Sequence, residues 1–216
     1  MTDTNRIEPS PVLLETPLIA VLRAQQATDY DAVVEVLGRN GVRCVELTLS
    51  TPGTIDHLPA LIKHAGSELE IGVGTITTVA DAQRAIDAGA RYLVTPVINL
   101  EIIALALKHR LPVFPGGLTP TELHSAWQAG ATAVKIFPAQ TVGAKYGSHL
   151  RGPFPYLKFV PSGGVGLADI PAWLNAGATA VSLGGPLIGD ALKGGSLQEL
   201  AERTKRAVEI VREAIR

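Results

Sequence analysis

A single lysine, Lys135, lies inside a short apolar segment, ATAVKIFP (residues 131–138), whose length and composition are typical of a β-strand. Side chains alternate along a strand, so Ala133, Lys135 and Phe137 share one face. Burial disfavours the charged form of a lysine amine, and a neutral amine can attack a carbonyl carbon to form a Schiff base. The alternatives are an edge residue or a lysine whose stem follows apolar surface to water.

A carboxylate near the end of another apolar segment is the second group suited to chemistry. Glu46 lies in VRCVELTL (residues 42–49), where alternation places Glu46 and Thr48 opposite Leu47. A buried carboxylate is costly as an isolated ion, and a nearby lysine gives it a partner or a proton to exchange. Lys135 and Glu46 are therefore either a nucleophile with its acid/base or a buried structural ion pair, and the pattern leaves both open.

Both segments belong to a regular alternation of apolar strands and helices. The predicted strands are 18–24, 42–49, 69–75, 90–96, 111–117, 131–138, 157–164 and 179–185. The segments NGVRCVEL, AGARYLVT, AGATAVKI and AGATAVSL each place a helix-ending glycine before an apolar strand. Eight such units predict an α/β protein with a closed (β/α)8 barrel, or TIM barrel. A doubly wound open sheet is the alternative, but no GxGxxG follows the first strand.

Length and composition indicate one domain. A chain of 216 residues with 46% hydrophobic content can form one large core. The predicted division is an N-terminal leader at 1–17, with a short helix at 11–15 that covers one end, and the barrel at 18–216. Cys44 is the only cysteine, which excludes an internal disulfide and a cysteine-based zinc site.

The charge balance argues against polyanionic partners. A formal net charge of −1 gives no broad field that would attract nucleic acid or an anionic membrane. The polar N-terminus has no apolar signal region, and the most apolar helical segment is interrupted by charged residues. We therefore expect a soluble cytoplasmic protein whose anionic ligands are held by local groups.

In a barrel of this kind, the C-terminal ends of the strands and the loops after them form the active site. The residues that the sequence places there are Arg23, Glu46, Thr48, Thr75, Thr95, Pro96, Lys135, Phe137, Gly163, Gly164, Gly184 and Gly185. SGGVG (162–166) connects a strand to a helix, and the backbone N–H groups of such a turn can hold a phosphate. Glycines also serve tight turns alone, so this motif does not by itself assign a ligand.

Taken together, several segments resemble a known family. GVRCVELTLST, IGVGTITT, KIFPAQTVG, GPFPYLKFVPSGGV and SLGG are similar, in order and spacing, to aldolases that cleave 2-keto-3-deoxy-6-phosphogluconate (KDPG). Some members of that family also act on 4-hydroxy-2-oxoglutarate (KHG). The resemblance runs from about Leu18 to the last helix. It implies a class I aldolase on a (β/α)8 barrel that needs no metal or other cofactor, acts on a small-molecule 2-keto acid and forms a homotrimer.

The resemblance also implies roles for individual residues. It makes Lys135 the Schiff-base lysine and Glu46 the general acid/base. The residues implied around the pyruvate moiety are Thr75, Pro96 and Phe137, and those implied around the phosphate are Ser162, Gly163, Gly164, Gly184 and Gly185. The implied reaction is reversible cleavage of KDPG to pyruvate and glyceraldehyde 3-phosphate. The alternative substrates are KHG and 2-keto-3-deoxy-6-phosphogalactonate (KDPGal).

Two positions depart from the family pattern. Ser50 stands where many members have an arginine that grips the pyruvate carboxylate. We hypothesise that Arg23, at the end of the first strand, supplies that charge; the alternative is an arginine paired with a surface carboxylate. Pro186 stands where the family often has a serine, and proline offers neither a hydroxyl nor an N–H. Weaker phosphate binding is therefore expected.

Three other classes of protein compete with this interpretation. A metal-dependent aldolase needs convergent carboxylate or histidine ligands. The five histidines fall in predicted helices or loops; they are His57, His64, His109, His124 and His149. A non-catalytic phosphosugar-binding barrel or trimeric scaffold would keep the fold without using Lys135. A sugar-phosphate isomerase would share the barrel and the phosphate site but has no need of a lysine on a strand.

Overall fold

The structure is a computed structural model that describes residues 6–216. It contains eight strands, each followed by at least one helical segment. The strands are β1 (Leu18–Leu22), β2 (Cys44–Thr48), β3 (Glu70–Gly74), β4 (Leu93–Thr95), β5 (Val113–Gly117), β6 (Val134–Ile136), β7 (Phe159–Pro161) and β8 (Val181–Leu183).

The strands form one parallel ring. β1 pairs with both β2 and β8, and the pairing continues in chain order from β2 to β7. One parallel bridge between Ser162 and Ser182 joins the end of β7 to β8 at the last junction. The predicted (β/α)8 barrel is confirmed, and the doubly wound alternative is wrong.

Helices surround this ring. They are α1 (Pro11–Glu15), α2 (Tyr30–Arg39), α3 (Thr54–Ala65), α4 (Val79–Asp87), α5 (Leu100–Lys108), α6 (Pro120–Gln128), α7 (Ala144–Leu150), α8 (Ile170–Asn175), α9 (Gly185–Ile188) and α10 (Leu197–Ala214). Hydroxyl or amide side chains cap α4, α5, α6 and α10 by accepting from N–H groups in the first turn. Within residues 6–216, no helix is both long and apolar enough to cross a membrane.

Apolar side chains form two layers, one on each side of the strands. Val134 and Ile136 of β6 are fully buried in the outer layer, between the strands and the helices. Ala133 belongs to a second cluster inside the barrel, together with Phe114 and Val160. Because side chains alternate, Lys135 also points into the barrel, above this apolar floor. The predicted facing of the sixth strand is therefore confirmed.

Helix α1 lies at the opposite end of the barrel from Lys135. Leu13 is buried in the inner cluster, and the Ser10 hydroxyl accepts from the Leu13 N–H (3.2 Å) and donates to Glu70 Oε2 (2.6 Å). Glu70 is the first residue of β3, so these contacts attach α1 to the N-terminal end of the ring. The helix predicted at 11–15 is confirmed and covers that end. Residues 1–5 of the predicted leader at 1–17 lie outside the described residues.

Several strands are shorter than predicted. The sixth was predicted over 131–138, but β6 contains only Val134–Ile136. Pro138 has no N–H to donate and cannot continue a ladder of backbone hydrogen bonds. The sequence also gave no indication of α9, where the chain turns directly out of β8 into one helical turn.

Among residues 6–216, the hydroxyl of Tyr92 has only a poorly oriented contact with the Gly72 backbone. Tyr92 is buried inside the barrel, against Phe114 in an edge-to-face contact with ring centroids 5.7 Å apart. The edge of its ring occupies the space beside Gly72, where a Cβ would lie only 2.2 Å from a ring carbon. No residue within 6–216 makes a geometrically acceptable hydrogen bond to its hydroxyl. Burial, reinforced by Cys44 and Glu46 nearby, raises the pKa of this phenol well above its ordinary value.

Replacing Tyr92 by phenylalanine removes this unsatisfied group without changing the ring. We expect Tyr92→Phe to raise the free energy of unfolding by about 1 kcal/mol, because a desolvated hydroxyl without a partner is costly. For a chain of this length, that corresponds to about 2–4 °C in a thermal denaturation midpoint. The exposed Tyr156 provides the control, since Tyr156→Phe should change stability by less than about 0.5 kcal/mol. Destabilisation of Tyr92→Phe would contradict this account.

Candidate active site

A cavity of about 420 Å³ opens at the C-terminal end of the strands. This is the end at which barrels of this fold carry their active sites. All residues to which the family resemblance or the Arg23 hypothesis gave a role line this cavity; these are Arg23, Glu46, Thr75, Pro96, Lys135, Phe137, Ser162, Gly163, Gly164, Gly184 and Gly185. Of the other two residues that the sequence places at the strand ends, Thr48 lines the cavity, but Thr95 does not: it is fully buried, and its hydroxyl donates to the Val97 carbonyl. Strands far apart along the chain therefore bring the predicted residues to one place.

The lysine and the carboxylate meet in the interior of the barrel. Lys135 Nζ lies 3.7 Å from Glu46 Oε1, and the two side chains are only 10% and 2% exposed. The Phe137 ring, with its centroid 5.3 Å from Nζ, lies within the range of a favourable cation–π contact. A shielded amine beside a carboxyl group can act as a nucleophile with an adjacent proton carrier.

A glycine on β3 provides the space for the carboxylate. A Cβ at Gly74 would lie 1.9 Å from Glu46 Oε1 and 2.5 Å from the carboxyl carbon, so no other residue fits without moving that carboxylate. The sequence signal for this role was available in the predicted third strand, where Gly72 and Gly74 occupy one face. It was missed because glycine carries no functional group.

Thr75, the next residue, has an unusual backbone conformation. Its φ of 61° lies in the left-handed region, which β-branched residues rarely adopt. Thr75 is half-buried and lines the cavity. Strained backbone of this kind is found where a structure holds a side chain in one orientation, as at binding sites.

Arg23 follows β1 at the rim of the cavity. Its guanidinium makes no ion pair or hydrogen bond with any residue in the described part of the chain, so the alternative of a surface ion pair has no support. Its loop is held by Thr51, whose hydroxyl accepts from the Ala24 N–H (2.9 Å) and interacts with the Ala24 carbonyl (3.3 Å). Ser50 instead forms a hydrogen bond between its hydroxyl and that of Thr48 (3.0 Å).

Two constraints, backbone conformation and lack of space, require glycine at positions 163 and 164. Gly163 and Gly164 have φ values of 88° and 77°, both left-handed. A Cβ at Gly163 would lie 2.9 Å from the Phe137 ring, and one at Gly164 would lie 2.2 Å from Gln140 Oε1. The Gly164 N–H donates no hydrogen bond to the residues described here, which leaves it available to an anion, whereas the Gly163 N–H faces the Ser182 carbonyl at the bridge between β7 and β8.

Several lining residues had no predicted role; they are Val21, Thr48, Pro186, Ile188, Gly189, Leu192 and Lys193. Lys193 is the charged member of this group. It lies in a short 3₁₀ turn, Ala191–Lys193, between α9 and α10. The sequence around it, DALKGGS, resembles any polar surface loop, and only the path of the chain brings it to the cavity.

The cavity is positively charged although the chain is not. Its charged lining residues are Arg23, Lys135 and Lys193 against Glu46, which is three cations minus one carboxylate, or +2, whereas the whole chain has a formal charge of −1. A cleft lined mainly by one sign of charge attracts ligands of the opposite sign. In residues 6–216, no group of three or more His, Cys, Asp or Glu side chains is arranged to hold a metal ion.

The fold is a (β/α)8 barrel, and the paired lysine and carboxylate in its mouth are groups that an aldol cleavage through an amine would need. The family profile described as KDPG and KHG aldolase matches residues 10–212, and the chain belongs to this family of aldolases, which are lyases. The predicted family resemblance is therefore confirmed.

Individual relatives cover nearly the whole chain. The chain is 32% identical to the 2-dehydro-3-deoxy-6-phosphogalactonate aldolase of Escherichia coli (strain K12) over 200 residues, 92% of this chain and 96% of that protein. It is also similar to a native KDPGal structure, with a TM-score of 0.86 and 32% identity over 92% of this chain and 96% of that one.

A third comparison is with a relative that holds a reaction intermediate. The KDPG aldolase of Legionella pneumophila superposes with a TM-score of 0.82 and 28% identity, over 90% of this chain and 95% of that one. Its structure contains pyruvate captured at low pH as a covalent carbinolamine. A carbinolamine is the product of adding an amine to a ketone, which is the first step of Schiff-base formation.

Adding one methyl group at position 74 should separate the lysine and the carboxylate. We expect Gly74→Ala to lengthen the distance from Lys135 Nζ to Glu46 Oε1 beyond 4 Å and to cost about 1–3 kcal/mol of stability through overpacking. Crystallography and thermal denaturation measure the two effects. Gly38→Ala is the matched control, because a Cβ there meets only a Leu69 methyl at 3.9 Å. An unchanged distance in Gly74→Ala would contradict the proposed packing.

Proposed function

We propose that this protein is a class I aldolase that reversibly cleaves KDPG to pyruvate and glyceraldehyde 3-phosphate. The observation that carries the proposal is the shielded amine of Lys135, 3.7 Å from the Glu46 carboxylate, inside a barrel of the aldolase family. The covalent pyruvate carbinolamine in the Legionella pneumophila relative supports the proposal that the Lys135 amine attacks the ketone of the substrate.

The reaction begins at the ketone of the substrate. The neutral amine of Lys135 attacks C2, and loss of water gives an iminium that withdraws electrons from C3. Glu46 then takes the proton of the C4 hydroxyl, the C3–C4 bond breaks, and its electrons form an enamine. The aldehyde leaves, Glu46 returns the proton to C3, and water hydrolyses the iminium to release pyruvate and the lysine.

The other cavity residues bind and shield the substrate. Arg23 pairs with the carboxylate of the pyruvate moiety, since a guanidinium makes two parallel hydrogen bonds to a carboxylate. Thr75, Pro96 and Phe137 surround the three-carbon unit and exclude water from the amine. The phosphate lies against the two glycine pairs and Ser162, and it accepts from free backbone N–H groups such as that of Gly164. Ser162 contributes its hydroxyl, because its own N–H already donates to the Ile136 carbonyl (3.0 Å).

KDPGal is the second candidate substrate. It differs from KDPG in configuration at C4 and gives the same two products, so the steps above apply unchanged. The Escherichia coli relative and the native KDPGal structure favour it by their names. KHG, which carries a carboxylate directly on C4 in place of the two-carbon unit with the phosphate ester, is the third candidate, and the family description includes it.

Four further properties remain predictions. The proposed steps use only groups of this chain and its substrate, with no metal or other cofactor. A homotrimer, a cytoplasmic location and the absence of nucleic-acid and membrane partners follow from the family resemblance and the composition. Membership of an enzyme family favours catalysis over a non-catalytic scaffold.

Reductive trapping tests the nucleophile. Sodium borohydride added with pyruvate should fix a three-carbon adduct on Lys135, because reduction of the imine makes the bond permanent. Intact mass and peptide mapping identify the modified residue. Lys135→Met should abolish the adduct, and Lys205→Met, at an exposed position on α10 outside the cavity, should leave it unchanged. Wild-type protein that stays unmodified would refute the mechanism.

Glu46→Gln tests the proton carrier while keeping the size of the side chain beside Gly74. Turnover should fall by about 10²–10⁴-fold, the usual contribution of a positioned acid or base. The pyruvate adduct should still form, because the amine remains. Glu70→Gln, at the N-terminal end of the same barrel, is the matched control and should retain turnover. Equal activity of Glu46→Gln and the wild type would remove Glu46 from this role.

A further inference from the structure

Lys193 gives the cavity a cation in the same segment as the second glycine pair. We infer that Lys193 binds the anionic group at the end of the substrate opposite the keto acid and makes the enzyme selective for a phosphate ester there. The inference rests on the proposed aldol cleavage, and it adds a specificity-determining residue that neither the motif pattern nor the family resemblance assigned.

The ammonium of Lys193 is available to a ligand. Lys193 lines the cavity together with both glycine pairs, and its side chain is exposed. It makes no hydrogen bond or ion pair through Nζ with any residue between 6 and 216. Of the other two cations in the cavity, Lys135 lies beside Glu46, and the mechanism assigns Arg23 to the pyruvate carboxylate.

The backbone of Lys193, in contrast, is firmly held. Its N–H donates to the Asp190 carbonyl (2.7 Å), and that carbonyl also accepts from the Gly195 N–H (3.0 Å). Leu192, the preceding residue, is buried at 7% exposure. A flexible side chain on a fixed backbone can reach an anion without the entropic cost of ordering a loop.

Arg203 of α10 attaches the first part of the same segment. Its guanidinium donates from Nε to the Leu187 carbonyl and from Nη2 to the Ile188 carbonyl, both at 3.0 Å. These bonds hold the end of α9, just before the turn that contains Lys193. Residues 184–196 are therefore held by several hydrogen bonds, and this segment places Lys193 at the cavity on the C-terminal ends of the strands.

Lys193 supplies hydrogen-bond donors that Pro186 cannot provide. Proline at 186 offers no hydroxyl and no N–H to an anion. An ammonium supplies three donors and a full positive charge, and its hydrogen bonds to phosphate are charge-assisted. Lys193 thus compensates for the phosphate affinity that is lost at Pro186, and phosphate binding depends on this lysine. A doubly charged phosphate gains more from this ammonium than a singly charged carboxylate does.

The decisive experiment compares each phosphorylated keto acid with the same acid lacking phosphate, and adds KHG, whose carboxylate lies directly on C4. Wild type, Lys193→Met and Lys193→Arg are assayed on KDPG and KDPGal, on the same two keto acids without phosphate, and on KHG. Lys193→Met should raise KM for the phosphorylated substrates by about 10- to 100-fold, with kcat nearly unchanged, because a charge-assisted hydrogen bond is lost. Its kcat/KM on the unphosphorylated acids should stay at the wild-type value, and Lys193→Arg should recover most of the loss.

Control variants separate this effect from general damage. Lys205→Met removes an exposed lysine outside the cavity and should change no substrate preference. Arg23→Ala should weaken pyruvate binding while leaving the ratio between phosphorylated and unphosphorylated substrates unchanged. An equal loss on both kinds of substrate in Lys193→Met, or no loss on either, would overturn the inference. A larger loss on KHG than on the phosphorylated substrates would assign Lys193 to a carboxylate instead and would also overturn it.

Failure of the proposed function gives a different result. Pyruvate has no distal anion, so Lys193→Met should form the borohydride adduct as readily as the wild type. If the wild type forms no adduct and cleaves none of the substrates, the aldolase mechanism fails. Calorimetric titration with inorganic phosphate then still tests the anion site, because binding by the wild type should be at least 10-fold tighter than binding by Lys193→Met. Equal phosphate affinity would refute the role of Lys193.

Discussion

The interior of the barrel mouth holds two opposite charges, Lys135 and Glu46, 3.7 Å apart and largely screened from water. Such a pair is stable only because each partner offsets the cost of burying the other; leaving one charge buried alone costs about 3–5 kcal/mol. The surrounding structure is arranged around this constraint. Ala133 and the inner apolar cluster lie below the pair, Gly74 leaves space for the carboxylate, and α1 covers the far end of the ring.

The same pair explains why the site is formed at the strand ends rather than on loops. β2 and β6 are not neighbours in the ring, so their inward side chains approach each other only across the barrel axis. Rigid strands fix this approach more closely than loops would, and proton transfer requires groups within hydrogen-bond reach. The proposed binding groups lie on loops instead; one of them is Arg23 after β1, and the hydrogen bonds of Thr51 to Ala24 hold its loop.

Charge is distributed unevenly over the molecule. A nearly neutral chain carries a cavity with an excess of two positive charges, from residues that follow β1, lie on β6 and precede α10. Each of the three cations has a different environment. Lys135 is shielded beside a carboxylate, Arg23 is at the rim without an ion-pair partner in the described residues, and Lys193 is on a segment tied down by Arg203. One cavity therefore suits a ligand with anionic groups at both ends.

The amino-acid sequence by itself determined the alternation of strands and helices, the closed barrel, and the inward direction of Lys135 and Glu46. These follow from local rules, because side chains alternate on a strand and helices end at glycine whatever lies elsewhere in the chain. It also indicated the residues at the strand ends, and the structure brings all of these except Thr95 to one cavity. The shorter strands, the turn α9, the space left by Gly74 and the approach of Lys193 were decided only by the tertiary structure. Each of these depends on which distant segments pack together, and the sequence of a short segment does not specify its long-range contacts.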